Sequence, residues 1–292
     1  MALKEIKQRI QSVSSTRKIT SAMKMVASAK LRKSQKQIEH LLPYENNLNS
    51  LLTNFLSAET DNLSPLAAER RVEQAALVVI SSNSALCGAF NSNVIKQMNS
   101  MLGEYKNLGS ENIKIYPVGK KAAKAAQKIG FEIENFDELS EKPNYDEASA
   151  LAERLISDFL EKKIDKVEIL FHHFQSKSRQ VLTRETFLPI TQGTDYKFAP
   201  ANKNGKELNY IVEPSREEIL NVLIPKVIKL KLYAALLDSS ASEHAARMLS
   251  MQIATDNAND LLQDLTLQYN KSRQQAITSE LLDITGASFG VN

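Results

Sequence analysis

The sequence predicts an α/β protein in which two long terminal helices pair with each other and carry a globular insert between them. Three observations predict it. A heptad repeat of apolar residues runs through the last quarter of the chain, a second helical pattern covers the beginning, and short Val- and Ile-rich runs alternate with helical stretches in between.

At the N-terminus, Leu3, Ile6, Ile10 and Val13 keep a 3-then-4 spacing that lapses through Ser14 to Ser21 and resumes with Met23, Val26, Leu31, Ile38 and Leu41. Pro43 breaks the hydrogen-bond ladder locally. Leu48, Leu52 and Phe55 recover the earlier phase, so a kinked helix over residues 1–57 is expected. Asp61 to Ala67 holds turn formers and Pro65, a domain boundary.

The pattern then changes. Ala75 to Ser81, Ile113 to Val118 and Val167 to Phe174 read as strands, with helices at about Asn91 to Leu108, Lys120 to Ile129 and Tyr145 to Lys162. Such alternation predicts a parallel sheet covered on both faces, within an α/β insert of residues 70–213. A further strand is expected near Val181 to Pro189, a polar loop from Thr191 to Gly205, and a short edge strand at Leu208 to Val212.

Ser215 followed by Glu218 is a helix-start signal, which opens the C-terminal helix of residues 215–292; Pro225 either kinks that helix or begins its next segment. Positions seven apart read Leu223, Leu230, Leu237, His244, Met251, Ala258 and Leu265, interleaved with Val227, Ala234, Ala241, Met248, Thr255, Leu262 and Tyr269. No Pro or Gly occurs between Lys226 and Thr285, so about 60 residues give roughly 90 Å of helix. One apolar stripe needs a second helix to cover it, which the N-terminal segment supplies. The seam is thin, since Ala234, Ala241, His244, Thr255 and Ala258 stand where a stable zipper has Leu and Ile.

Composition narrows the function. The net charge of +3 is too small to imply a nucleic-acid partner, although the N-terminal helix from Lys4 to Lys36 carries ten basic residues against Glu5 alone. Acids gather at the other end, with Asp256, Asp260, Asp264, Glu280 and Asp283 against Arg247, Lys271 and Arg273. One cysteine, Cys87, excludes an internal disulfide and a cysteine-based zinc site. No apolar run approaches the roughly 20 residues needed to span a bilayer.

The turn Ser81 to Asn91 (SSNSALCGAFN) lies between a strand and a helix N-terminus, where doubly wound folds bind phosphate. It has one glycine and no lysine, matches neither phosphate-binding pattern, and is read as structural. His172 and His173 point to opposite faces of a strand and cannot share a metal. His40 and His244 lack a partner four residues away. An enzyme with a coiled-coil arm that uses nucleotide, and a coiled coil that binds nucleic acid, are the alternative functions.

The stretches IKQRIQSVSSTRKITSAMKMVASAKLRK (Ile6 to Lys33), SEHAARMLSMQIATDNANDLL and LQYNKSRQQAITSELLDITGA resemble the gamma subunits of F-type ATP synthases. LCGAFNSNV at Leu86 to Val94 adds a weaker match, although the family turn commonly reads SDRGLCGGLN and departs from this one at Asn83, Ser84, Ala85 and Ala89. The resemblance implies an α/β fold class with a long antiparallel coiled coil of the N- and C-terminal helices and an inserted Rossmann-like α/β domain. It implies a central rotor shaft, itself non-catalytic, without cofactor or metal. The expected partners are a hexamer of alpha and beta subunits, the epsilon subunit and the membrane ring of c subunits, with no nucleic acid. The expected location is peripheral, on the cytoplasmic face of a bacterial inner membrane, held there through the ring. Residue by residue, Met23 and Lys24 match the family's contact with an acidic loop on beta, with Lys30, Arg32 and Lys33 following on the same helix. Arg247 lies in the matching ARM string, and Arg273, Gln274, Thr278 and Glu280 match the segment that faces the surrounding bearing.

Overall fold

The computed structural model describes residues 3–57, 64–131, 133–134, 136–190, 213 and 215–289. The elements are helix α1 (Leu3–Ser57), β1 (Ala75–Ile80), α2 (Phe90–Glu104), β2 (Ile113–Val118), α3 (Lys120–Ile129), α4 (Asp137–Glu141), α5 (Tyr145–Leu160), β3 (Lys166–Phe174), β4 (Gln180–Leu188) and α6 (Arg216–Phe289). They form two compact units, residues 28–246 and residues 1–27 with 247–292.

The larger unit is built on a four-stranded sheet of order β2-β1-β3-β4. β1 runs parallel to both β2 and β3, while β4 returns antiparallel to β3. The sheet is therefore mixed, because the short connection after Phe174 allows only a hairpin and no crossover. All six residues of β1 are buried, as befits a central strand covered on both faces. Its side chains alternate. Ala76, Val78 and Ile80 join a core with Leu151, Leu155 and Phe159 of α5, Leu48 and Leu52 of α1, and Leu220 to Leu236 of α6. Leu77 and Val79 join a second core with Val94, Met98 and Met101 of α2 and Ala122 and Ala126 of α3.

Both long helices continue past their prolines, Pro43 and Pro225, as a single element each. Packing outweighs the lost hydrogen bond at Pro225, where Leu223, Ile224, Val227 and Ile228 are all buried. The start signal of α6 is realised, since Glu218 N–H donates to Ser215 Oγ at 3.2 Å. The five-residue α4 follows no periodicity in the sequence. The polar loop at Thr191 to Gly205 and the edge strand at Leu208 to Val212 lie outside the described residues.

Within this unit the seam residues Leu223, Val227, Leu230, Ala234, Leu237, Ala241 and His244 are all buried. On α1 the facing set is Leu31, Ser34, Ile38, Leu41, Glu45, Leu48 and Leu52, again alternating by three and four, with Leu31, Ser34, Glu45, Leu48 and Leu52 buried. Ser34 Oγ and Ser240 Oγ lie 3.3 Å apart across the pair.

In the smaller unit the same alternation continues through Ile6, Ile10, Val13, Arg17, Thr20, Lys24 and Ala27. The apolar spacing lapses from Ser14 to Ser21, but the seam does not. The spacing is kept by polar residues, and Thr20 is buried like Ile6 and Ala27. Thr20 Oγ1 and Thr255 Oγ1 are 2.8 Å apart, and Arg17 Nη1 donates to Asn259 Oδ1 at 3.3 Å. One residue number falls as the other rises, so the two segments are antiparallel.

Candidate functional site

The smaller unit ends in a segment with no companion among the described residues. The pairing of Thr20 with Thr255 and Arg17 with Asn259 sets Leu3, the first described residue, opposite Ser272. Ser272 is half-buried, and every residue from Arg273 to Thr285 is exposed. Ile277, Leu281, Leu282 and Ile284 stand 50%, 59%, 66% and 63% exposed. Ile277, Leu281 and Ile284 share one face, while Leu282 stands about a quarter-turn round from Leu281. Large aliphatic side chains at two faces of a solitary helix call for cover on more than one side.

The residues singled out in the sequence fall into three settings. Lys24 is half-buried in the seam, and Met23 and Arg247 are half-buried beside it. Lys30, Arg32 and Lys33 are exposed on α1, and Arg273, Gln274, Thr278 and Glu280 lie on the exposed end of α6. Thr278 Oγ1 donates back to Gln274 O at 2.9 Å. Exposed apolar residues accompany the half-buried ones on the helix pair: Ile19, Met25 and Val26 on α1, and Leu249, Ile253 and Leu261 on α6.

The polar groups of the turn after β1 are met by its own residues and by the first residues of α3 and α4. Asn91 Oδ1 accepts from Ser82 N–H at 3.1 Å, and Asn91 Nδ2 donates to Ser84 O at 3.2 Å. Asn83 donates to Asp137 O at 2.9 Å and accepts from Lys120 N–H at 3.0 Å. Cys87 is buried against Asn91 Nδ2 at 3.1 Å. Gly119 approaches the same turn so closely that a Cβ there would sit 2.3 Å from Ser81 O. Beside the turn, a groove of about 760 Å³ carries Glu134, Asp137, Glu138, Glu141 and Glu147 against Lys120 and Arg154. That acid excess repels a phosphate.

The sequence reading missed a polar cluster in the larger unit. Ala234 to Ala245 of α6 are buried on every face, although the stretch includes Asp238, Ser239, Ser240, Ser242, Glu243 and His244. Asp238 Oδ2 lies 2.6 Å from His173 Nδ1, and Asp238 Oδ1 accepts from Phe174 N–H at 2.9 Å. Ser242 Oγ donates to His172 O at 3.1 Å. His172 itself stacks on Phe90 at 4.2 Å, and burial pushes its imidazole down to about 4, so it is neutral at physiological pH. Lys231 Nζ sits 3.3 Å from Glu185 Oε2. Of these polar residues only His244 stands on the seven-residue spacing; Asp238, Ser239, Ser240, Ser242 and Glu243 fall between its positions, so the spacing carries no signal for their burial.

The chain matches the family described as ATP synthase over residues 2–289. It is 57% identical to the ATP synthase gamma chain of Phocaeicola vulgatus, over 98% of this chain and 99% of that one. It is 39% identical to the ATP synthase gamma chain of Cytophaga hutchinsonii, over 100% and 99%. Among solved structures, a chain of the Euglena gracilis mitochondrial ATP synthase (OSCP/F1/c-ring) superposes with a TM-score of 0.66 at 18% identity, covering 99% of this chain and 94% of that one. A chain of the Tetrahymena thermophila mitochondrial ATP synthase central stalk and c-ring gives 0.59 at 23%, over 81% and 99%. At those identities the structural likeness shows the fold.

Proposed function

The chain belongs to the ATP synthase gamma family, and from that premise we propose that it is the central rotor shaft of an F-type ATP synthase. Rotation driven by ion flow through the membrane ring is passed along the helix pair to the catalytic beta subunits. The chain takes part in synthesis or hydrolysis of ATP without supplying a catalytic group.

The observation that supports this most is the exposed end of α6, where Leu281 and Leu282 stand 59% and 66% exposed with no companion helix among the described residues. A hexameric sleeve of alpha and beta subunits would cover such a segment on every side. Arg273, Gln274, Thr278 and Glu280 then meet the bearing, and Met23 and Lys24 meet an acidic loop of beta, with Lys30, Arg32, Lys33 and Arg247 as further contacts on the two helices. The epsilon subunit and the c ring bind the α/β insert. The chain is peripheral to the cytoplasmic face of the inner membrane and is held there by the ring; among the described residues no helix is long and apolar enough to cross a membrane.

A shaft acts only if its faces differ. Each beta conformation has its own free energy against a given face, so turning the shaft shifts each catalytic site in sequence. The small residues of the seam, such as Ala234, Ala241 and Ala258, let the helices approach closely and keep the shaft slender.

The test is co-expression of the organism's alpha and beta subunits with the full chain or with one ending after Leu267, followed by measurement of ATP hydrolysis and torque. The full chain is expected to co-purify at one copy per hexamer and to support steady turnover, and the shortened chain to couple more weakly. Failure of the full chain to join the hexamer, with turnover indifferent to it, would refute the reading.

A further inference from the structure

Glu45 occupies a seam position of α1, between Leu41 and Leu48 in the heptad spacing, yet it is a carboxylic acid and only 4% exposed. Its neighbours on that face of α1, namely Leu41, Leu48, Asn49 and Leu52, carry no charge. The charged groups that act on it come from two other elements. Asp238 and Lys231 stand seven residues apart on α6, and Glu185 is on β4. Lys231 is already engaged with Glu185 at 3.3 Å and with Thr186 O at 3.4 Å, and Asp238 is engaged with His173 of β3 and with Phe174 N–H. Ionised together, Glu45, Asp238 and Glu185 would set three carboxylates against the one ammonium of Lys231, with Glu45 and Asp238 buried and Lys231 and Glu185 half-buried.

We propose that this junction of α1, α6 and the sheet is a proton-sensitive latch, in which Glu45 is seated in the seam as the neutral acid and its ionisation loosens α1 from α6. The latch holds whatever the helices turn against, so it stands apart from the rotor assignment.

In the folded chain the Glu45 carboxyl is pushed up to about 7 from an ordinary 4.5, by burial first and by the Asp238 charge second, with Lys231 opposing and Glu185 adding. A raised carboxyl pKa stabilises the fold in full below the unfolded value of 4.5, and that contribution is lost as pH rises through about 7. Between those limits the folding equilibrium constant falls by up to about tenfold per pH unit.

The experiment is urea unfolding of the full chain and of its Glu45→Gln variant at pH 5 and pH 8. Glutamine imitates the neutral acid. The ratio of the two folding constants is expected to shift by on the order of a hundredfold towards the variant between the two pH values. A ratio that stays constant overturns the latch. Should the variant not fold, the wild-type chain labelled with carbon-13 at the glutamate carboxyls decides the matter. One glutamate titrating near pH 7 upholds the proposal, and titration of every glutamate below about pH 5 overturns it.

Discussion

Glu168 is the third residue of β3 and is 4% exposed, and burial of a carboxylate is tolerated where partners surround it. Arg184 of β4 grips it with two nitrogens, Nε to Oε2 and Nη2 to Oε1, each at 3.1 Å, while its remaining Nη1 reaches Glu104 of α2 at 2.7 Å. Lys166 adds a second cation at 2.9 Å. One planar guanidinium therefore ties the hairpin to the helix layer that covers it. Arg184→Ala would leave Glu168 buried with only Lys166 and the Tyr105 hydroxyl beside it, and the expected cost is about 3 kcal/mol in urea unfolding. Arg184→Lys is expected to recover less than half of that, since an ammonium cannot span two oxygens and a third partner at once. None of this was legible beforehand: a diagonal contact between strands depends on register, and register follows from a hairpin whose pairing the sequence only outlines.

At the scale of the element, the two long helices were the most legible part of the molecule. The α6 seam set is buried or half-buried from Leu223 to Tyr269, as its seven-residue spacing required. On α1, apolarity alone places Met23 and Val26 in the stripe although Val26 is 58% exposed, and it passes over Arg17, Thr20, Lys24, Ala27, Ser34 and Glu45, which hold the seam positions. The strands Ile113–Val118 and Ala75–Ile80 were marked by Val and Ile, whereas α4 has too few residues to show a period. Sites on the helices divide by the same logic. Leu31 is 1% exposed in the seam and Leu281 is 59% exposed beyond it. Leu31→Ala is expected to cost the isolated chain about 2–4 kcal/mol, through lost contacts and an unfilled space. Leu281→Ser is expected to leave chain stability within about 0.5 kcal/mol and to weaken assembly with the alpha and beta subunits instead. Urea unfolding and co-purification, measured on the same two variants, separate the two effects.

At the scale of the whole molecule, the two compact units rest on different sources of stability. Residues 28–246 contain both hydrophobic clusters of the sheet, and the strands β1, β2 and β3 are paired and covered there. Residues 1–27 and 247–292 have one thin seam, with Thr20 against Thr255 where a tight zipper would hold leucine. Hydrogen exchange of the free chain is expected to show the amides of residues 273–285 unprotected. Those of residues 3–27 should exchange at least about a hundredfold faster than those of β1. Equal protection across both regions would contradict this. That α6 beyond Ser272 has no companion helix among the described residues has a mechanical meaning as well. Resistance to twisting grows very steeply with the width of a rod, so a shaft that narrows from two helices to one concentrates its compliance in the narrow part. The residues after Ser272 would wind and unwind before the paired region yields, as a spring set at the tip of an otherwise stiffer axle.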